Sequence, residues 1–303
     1  MSQPKGIDFF PSRWPIMCAV MNGVSDLSLA LAVHEAGAMP SLMVNGEHRI
    51  EKLGSVLREF VKSVGHANLV LSLNYYDLVN IDIVKLVRQY RVSHVELLGS
   101  LDSLEITSQQ EFDHVMSEPL VRNGLKFVQS TTKIMIRIFS PTQARSQLQA
   151  YALKGSDSGG FTGNLSVSEL FVQQQQLTPG MKLIPYGGIG TAKQVAEYIR
   201  RGAAAVAVGT LFAATKESCL AESVKQQMIL SSSTALTKFT TSQQALVLGT
   251  HSEVVADITS NRQASLESGI AGQGGLIYAG KSIDYVTKTR SVQEVVDDLT
   301  SEL

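Results

Sequence analysis

Three apolar runs in the chain end in glycines at positions where chemistry could take place. They are Ala152-Leu-Lys-Gly-Ser-Asp-Ser-Gly-Gly-Phe-Thr-Gly163, Leu183-Ile-Pro-Tyr-Gly-Gly-Ile-Gly190 and Ala204-Ala-Val-Ala-Val-Gly-Thr-Leu-Phe212. A phosphate dianion needs several backbone N–H donors and no side chain in the way. Gly187 and Gly188, followed by a helix start at Thr191, offer N–H groups and the positive end of a helix dipole. Gly209 and Thr210 add further N–H groups and a hydroxyl. One glycine pair alone is a tight turn. Two such sites in sequence, after the seventh and eighth strands of a β/α barrel, describe a phosphate grip.

The rest of the chain must supply that barrel. Pro15–Met21 reads as a buried strand with Asn22-Gly23 as its turn. Ser25 or Asp26 caps a helix over Leu27–Ala36, and Gly37 ends it. Further strands are expected at Met39–Val44, Asn68–Asn74, Val92–Gly99, Lys133–Phe139, Ala150–Lys154, Lys182–Tyr186 and Ala204–Val208. Helices are expected at Ile50–Val64, whose apolar residues share one face, and at Ile81–Tyr90 and Thr191–Arg201. A short helix starts at Ser140 and Pro141. Residues 101–131 break the rhythm, with Pro119 read as a stop. Strands alternating with helices imply parallel pairing and buried strands. Eight such units make an α/β fold of the (β/α)8 TIM-barrel type. The expected division is a barrel over residues 1–230 and a polar cap segment over 231–303, whose final helix, Val292–Leu299, packs on the barrel.

The chain has 303 residues, 44% of them hydrophobic and 17% charged, enough for one large core. A net charge of −1 favours neither nucleic acid nor an anionic membrane surface. No apolar stretch is long enough to span a bilayer, and the first residues lack the pattern of a secretory signal. Two distant cysteines, Cys18 and Cys219, suit a reducing cytoplasm. No His or Cys spacing suggests a metal site. A small-molecule substrate is expected as partner, and a homodimer stays open.

Taken in order, the segments resemble the nitronate monooxygenase family, which includes FMN-dependent enoyl-acyl-carrier-protein reductases. The resemblance rests on Pro15-Ile-Met-Cys-Ala-Val-Met-Asn-Gly23, Glu35-Ala-Gly-Ala38, Asn74, Ser158-Gly-Gly-Phe161, Gly187-Gly-Ile189, and Gly209-Thr210 with Phe212. Ala235-Leu-Thr-Lys-Phe239 and Gly272-Gln-Gly-Gly-Leu276 add to it, so that it spans roughly residues 14–300. It implies FMN as cofactor. The phosphate would then lie on Gly187, Gly188, Gly209 and Thr210, near Ser158, Gly159 and Gly160. Ala19, Val20, Met21 and Asn22 would line the flavin ring, and the Asn74 amide would meet its polar edge. Arg137, charged inside an apolar strand, either points into the barrel mouth as a cation for the reduced ring or faces outward to a carboxylate. Lys133 and Lys154 are alternates for that cation.

The resemblance also implies a histidine after the paired glycines, and Phe161 stands there. A phenylalanine moves no proton, so it reads as an apolar pocket wall. Asp157 on the elbow, Tyr186 before Gly187 and His48 after the second strand are the remaining candidates for acid–base work. His34, His66, His94, His114 and His251 read as solvated side chains. Three functions compete. The first is an FMN oxidoreductase of the nitronate monooxygenase kind, reduced by a small or specialised substrate and reoxidised by oxygen. The second is an NAD(P)H-dependent enoyl reductase, for which the polar cap composition offers no apolar acyl channel. The third is a non-redox phosphate-binding barrel. A resemblance to the inosine monophosphate dehydrogenase group ranks lower, because no cysteine occupies the loop after strand six.

Overall fold

The computed structural model describes residues 9–46, 48–98, 118–142, 148–240, 244–248 and 262–303. Eight strands form one parallel sheet: β1 (Ile16–Cys18), β2 (Ser41–Leu42), β3 (Val70–Asn74), β4 (His94–Leu98), β5 (Lys133–Ile138), β6 (Ala150–Lys154), β8 (Lys182–Tyr186) and β9 (Val206–Val208). Their order is β1-β9-β8-β6-β5-β4-β3-β2. A bridge between Met17 and Met39 joins the two edges. The Met39 N–H donates to Ile16 O at 2.8 Å and the Cys18 N–H to Met39 O at 2.9 Å. The ring of eight strands is thus closed, which removes both sheet edges.

The inside of the barrel follows from the two-residue period of a strand. Ala150, Ala152 and Lys154 share one face of β6, and Lys133, Met135 and Arg137 one face of β5. His94 and Glu96 do the same on β4. Met17, Met39, Val70, Met135, Ala150, Ala152, Ile184, Tyr186, Ala205 and Ala207 make the interior core. Phe9 and Phe10 plug its lower end, both within 5.0 Å (ring centroids) of His94. The larger core lies between the sheet and the outer helices.

Most expected elements are present with trimmed ends. The strand expected at Met39–Val44 shrinks to Ser41–Leu42. Asp26, not Ser25, caps the first helix, accepting from the Leu29 N–H at 3.0 Å. Pro119 does not stop a helix; it starts one, Pro119–Gln129, at the position where its missing N–H is harmless. A Cβ on Gly124 of that helix would overlap the Leu78 carbonyl, so only glycine allows the close approach. No helix starts at Pro141 or Thr142, and residues 143–147 lie outside the described ones.

A second sheet covers the mouth. It joins β10 (Leu236–Thr240), β11 (Gln244–Leu248) and β12 (Ile277–Tyr278). β7 (Gly160–Thr162), the strand of the elbow itself, pairs antiparallel with β11, Phe161 opposite Ala245. The last helix, Val292–Thr300, leaves this cap and packs against Leu27–Glu35 and Ala192–Arg200 in the barrel's outer layer. No described helix is long and apolar enough to cross a membrane.

Candidate active site

A cavity opens at the carboxyl ends of the strands, beneath the second sheet. One side is a cradle of backbone. Gly187 and Gly188 have φ of +125° and +65°, a region that side chains rarely adopt. A Cβ on Gly187 would stand 2.6 Å from Ser158 Oγ. That hydroxyl donates to Tyr186 O at 2.9 Å, fixing the elbow to the end of β8. Thr210 Oγ1 accepts from the Gly280 N–H at 2.9 Å, which ties the returning cap to the end of β9. Among the described residues no turn or loop hydrogen bond uses the N–H of Gly188, Gly209 or Thr210. Free donors, no intervening side chain and no nearby unpaired carboxylate suit a phosphate group. The helix N-terminus at Thr191 contributes less than its sequence suggests. Gln194 Oε1 already accepts the N–H groups of Gly190 and Thr191, at 2.9 and 3.1 Å.

Buried charge lies beneath the cavity. Glu96 is fully buried and accepts from Arg137 Nε at 2.8 Å. The Tyr186 hydroxyl donates to its other oxygen at 3.1 Å. Arg137 therefore faces inward, yet its carboxylate partner is inside the barrel too. Of the two alternatives weighed from sequence, the inward one is met and the outward one is not, because the carboxylate that pairs with Arg137 is itself inside. Arg137 Nη2 is buried without a partner. Lys154 also lines the cavity, and burial, then the Arg137 guanidinium, push its pKa down to about 7. Burial holds the Tyr186 hydroxyl well above the ordinary phenol value.

The wall nearest solvent comes from β1, the elbow and the cap. Ser25 Oγ accepts the Met21 N–H at 2.8 Å, and Ser25 and Ser41 both donate to Ala19 O. These bonds hold Ala19–Asn22 in place along one side. Asn45 donates to Asn22 Oδ1 at 2.9 Å. Arg262 stacks over the Phe161 ring at 4.7 Å, and Tyr278 lies beside both. The helix at 262–270 turns Leu266 and Ile270 toward the cavity, joined by Leu276 and Ile277. The cap is polar in composition, yet its inner side is apolar. The sequence expectation of no apolar lining is thereby corrected.

The structure brings together Ala19, Val20, Met21, Asn22, Arg137, Lys154, Ser158, Gly159, Gly160, Phe161, Tyr186, Gly187, Gly188, Gly209 and Thr210 around this one cavity. Asn74 does not line it; its Oδ1 is buried and unpartnered at the end of β3, and its N–H donates to Asp77. Arg49 holds that aspartate through two hydrogen bonds, the longer 2.7 Å. Asp157 is corrected as an acid–base candidate. Its carboxylate is paired with Lys281 Nζ at 2.7 Å, and Asp157 is not among the residues that line the cavity. His48 is corrected too: it is exposed in a left-handed conformation before the second helix. Tyr186 reaches the cavity, but its proton is engaged by Glu96. Lys133 is excluded as a flavin cation, since it donates to Phe9 O at the closed end. His94 is not solvated but 1% exposed, bonded to Phe9 O and Ser93 Oγ, with its pKa lowered to about 4 by burial. His114 and His251 lie outside the described residues. Sequence reasoning missed Glu96, Arg262 and Tyr278. For Glu96 the signal existed: one carboxylate in an apolar strand, next to a strand carrying one arginine. No group of His, Cys, Asp and Glu among the described residues could hold a metal ion.

FMN fits this site by its own features: a cradle of backbone N–H donors with no side chain in the way, and one orphaned polar atom of the lining, Arg137 Nη2. Known proteins agree on the architecture. FabK from Thermotoga maritima superposes with a TM-score of 0.78 at 19% identity, covering 100% of this chain and 96% of that one. Nitroalkane oxidase from Streptomyces ansochromogenes gives 0.74 at 19% identity, over 98% and 97% of the two chains. The enoyl reductase domain of MlnA, from the macrolactin biosynthesis cluster of Bacillus amyloliquefaciens, gives 0.69 at 11%, over 99% and 96%. At such identities the likeness shows the fold. No curated protein matches the chain. The family model for nitronate monooxygenase, however, matches residues 144–302, more than half of the chain and every element from β6 to the last helix. The protein is therefore a member of the nitronate monooxygenase family, the FMN-dependent oxidoreductases built on this barrel.

Proposed function

We propose that the protein oxidises a small substrate that reacts as an anion, with oxygen as the final electron acceptor. One observation carries this reading. Three basic side chains, Arg137, Lys154 and Arg262, line the cavity, and no carboxylate among the described residues does. An anion formed or bound there gains from cations in a site of low dielectric. Bound FMN supplies a two-electron acceptor next to the substrate. In this reading Gly187, Gly188, Gly209 and Thr210 hold the phosphate through N–H groups. Arg137 offers its unpaired Nη2 to the electron-rich edge of the ring, and Ala19–Asn22 lie along the ring. Phe161 and the cap residues exclude water. The barrel with its cap is taken as one working unit.

The test is oxygen uptake with ethyl nitronate, run beside NADPH oxidation with a crotonyl thioester. Oxygen uptake that depends on nitronate supports the reading. Thioester-dependent NADPH oxidation without it would favour the enoyl reductase. That second reading has its own observation, the apolar inner side of the cap at Leu266, Ile270, Leu276 and Ile277. Free Cys18 and Cys219 support a reducing, cytoplasmic location. The exposed Tyr76, Val79, Ile81 and Phe127, on neighbouring elements, support a homodimer, which sedimentation velocity decides.

A further inference from the structure

Phe161 leaves the site without the expected proton carrier, but a second candidate stands one residue away in space. Lys154 ends β6 on its inward face and lines the cavity. Its Nζ lies 3.7 Å from where a Cβ would stand on Gly160, the residue before Phe161. Among the described residues no hydrogen bond or ion pair engages that nitrogen. A lysine inside a barrel, beside the substrate wall and without a partner, has no structural role to explain it. Burying it costs stability, which marks functional sites.

The groups facing it come from each neighbouring strand. Glu96 of β4 is occupied by Arg137 and Tyr186. Arg137 of β5 disfavours a second positive charge nearby. Tyr186 of β8 and Tyr278 of β12 are held above the ordinary phenol value by burial, so both keep their protons at neutral pH. Arg262 stands over Phe161 at the mouth. A lysine in such surroundings is neutral for part of the time near pH 7, as its lowered pKa indicates.

We propose that Lys154 is the catalytic base of this site, taking the α-proton of a carbon acid such as a nitroalkane. The inference rests on the functional reading above and names its substrate class: a neutral carbon acid that becomes the anion. The α C–H bond breaks and its electron pair stays on the substrate, delocalised into the electron-withdrawing group. A new N–H bond forms on Lys154. The neutral pair becomes an ammonium beside a carbanion, each the counter-charge of the other. The step needs no further reactant.

Two measurements test it. The first compares neutral nitroethane with preformed ethyl nitronate, using Lys154→Met and Lys154→Gln, with the FMN content of each variant read from its absorption. Loss of a general base lowers kcat/KM for nitroethane by about 10²–10⁴-fold. Ethyl nitronate, already deprotonated, loses no more than about tenfold, the weight of roughly one pKa unit of charge interaction. In the wild type, kcat/KM for nitroethane rises with pH through a limb near 7, and the variants lack it. Equal losses on both substrates would overturn the proposal and leave Lys154 a ligand-holding group. The second measurement needs no turnover. The rate of Lys154 acetylation by acetic anhydride, read by mass spectrometry against pH in the protein as isolated, has its midpoint near 7. A midpoint above about 9, or no labelling, overturns it. If the wild type oxidises neither compound, the functional reading fails, and the labelling midpoint alone decides on Lys154.

Discussion

Glu96→Gln removes one charge from the barrel interior and almost nothing else. The glutamine oxygen can still accept from Arg137 Nε, 2.8 Å from one carboxylate oxygen, while its NH2 takes the place of the other oxygen and donates to the Tyr186 hydroxyl, 3.1 Å away. Arg137, whose side chain is 9% exposed, is left as an uncompensated buried cation. Removing one partner of a buried pair costs about 3–5 kcal/mol. Unfolding entropy is about 2.1 cal/mol/K per residue, so a chain of 303 residues carries about 0.6 kcal/mol/K. The expected fall in Tm is then about 5–8 °C, measured by calorimetry on flavin-free protein at pH 7. Replacing both members, Glu96→Leu with Arg137→Met, should recover most of it, because no buried charge is orphaned. The pair also bears on Lys154, whose pKa Glu96 holds up. In Glu96→Gln the pH limb of turnover therefore moves to lower pH. A fall in Tm below about 1 °C would show that the pair is solvated, and the account of dry, buried charge beneath the cavity would be wrong.

Gly187→Ala puts a Cβ 2.6 Å from Ser158 Oγ at a φ of +125°, with a strain of about 1–3 kcal/mol; the expected result is protein purified with little FMN, read from the flavin released on heating. His94 is buried with a pKa lowered to about 4, so between roughly 6.5 and 4 the unfolded chain binds a proton that the folded one does not. Stability should fall across that window as pH drops, by on the order of 3 kcal/mol, and His94→Gln should flatten the slope seen in urea titrations. Phe161→His gives up the stacking of Arg262, a loss of about 0.5–1 kcal/mol and a Tm change near 1 °C. It should also add an ionisation near 6.5 to the pH profile of any substrate that needs a base.

Local sequence determined the strands and glycines, because both report on backbone demands that neighbours cannot override. A run such as Lys-Leu-Ile-Pro-Tyr before two glycines has one way to bury its apolar residues and one reason to lack side chains. The ends of β6 and β8 and the cradle at Gly187 and Gly209 were legible for that reason. The helix at Pro119 was not, since a proline suits the end of one helix and the first turn of the next equally well, and the glycine of this helix answers to Leu78, 46 positions earlier in the chain. The acid–base roles were hidden more deeply. Asp157 looks free on its elbow until Lys281 returns from the cap to hold it. Lys154 looks like one of several lysines until the strand period turns it inward and the barrel closes around it. Burial and charge neighbours, which set what a titratable group can do, belong to residues far apart in sequence. The sequence by itself thus determined the barrel, the glycines at the ends of its strands and the absence of a histidine at 161. Tertiary structure decided which charges share the cavity, because only closure of the ring brings Glu96, Arg137, Lys154 and Tyr186 within reach of one another.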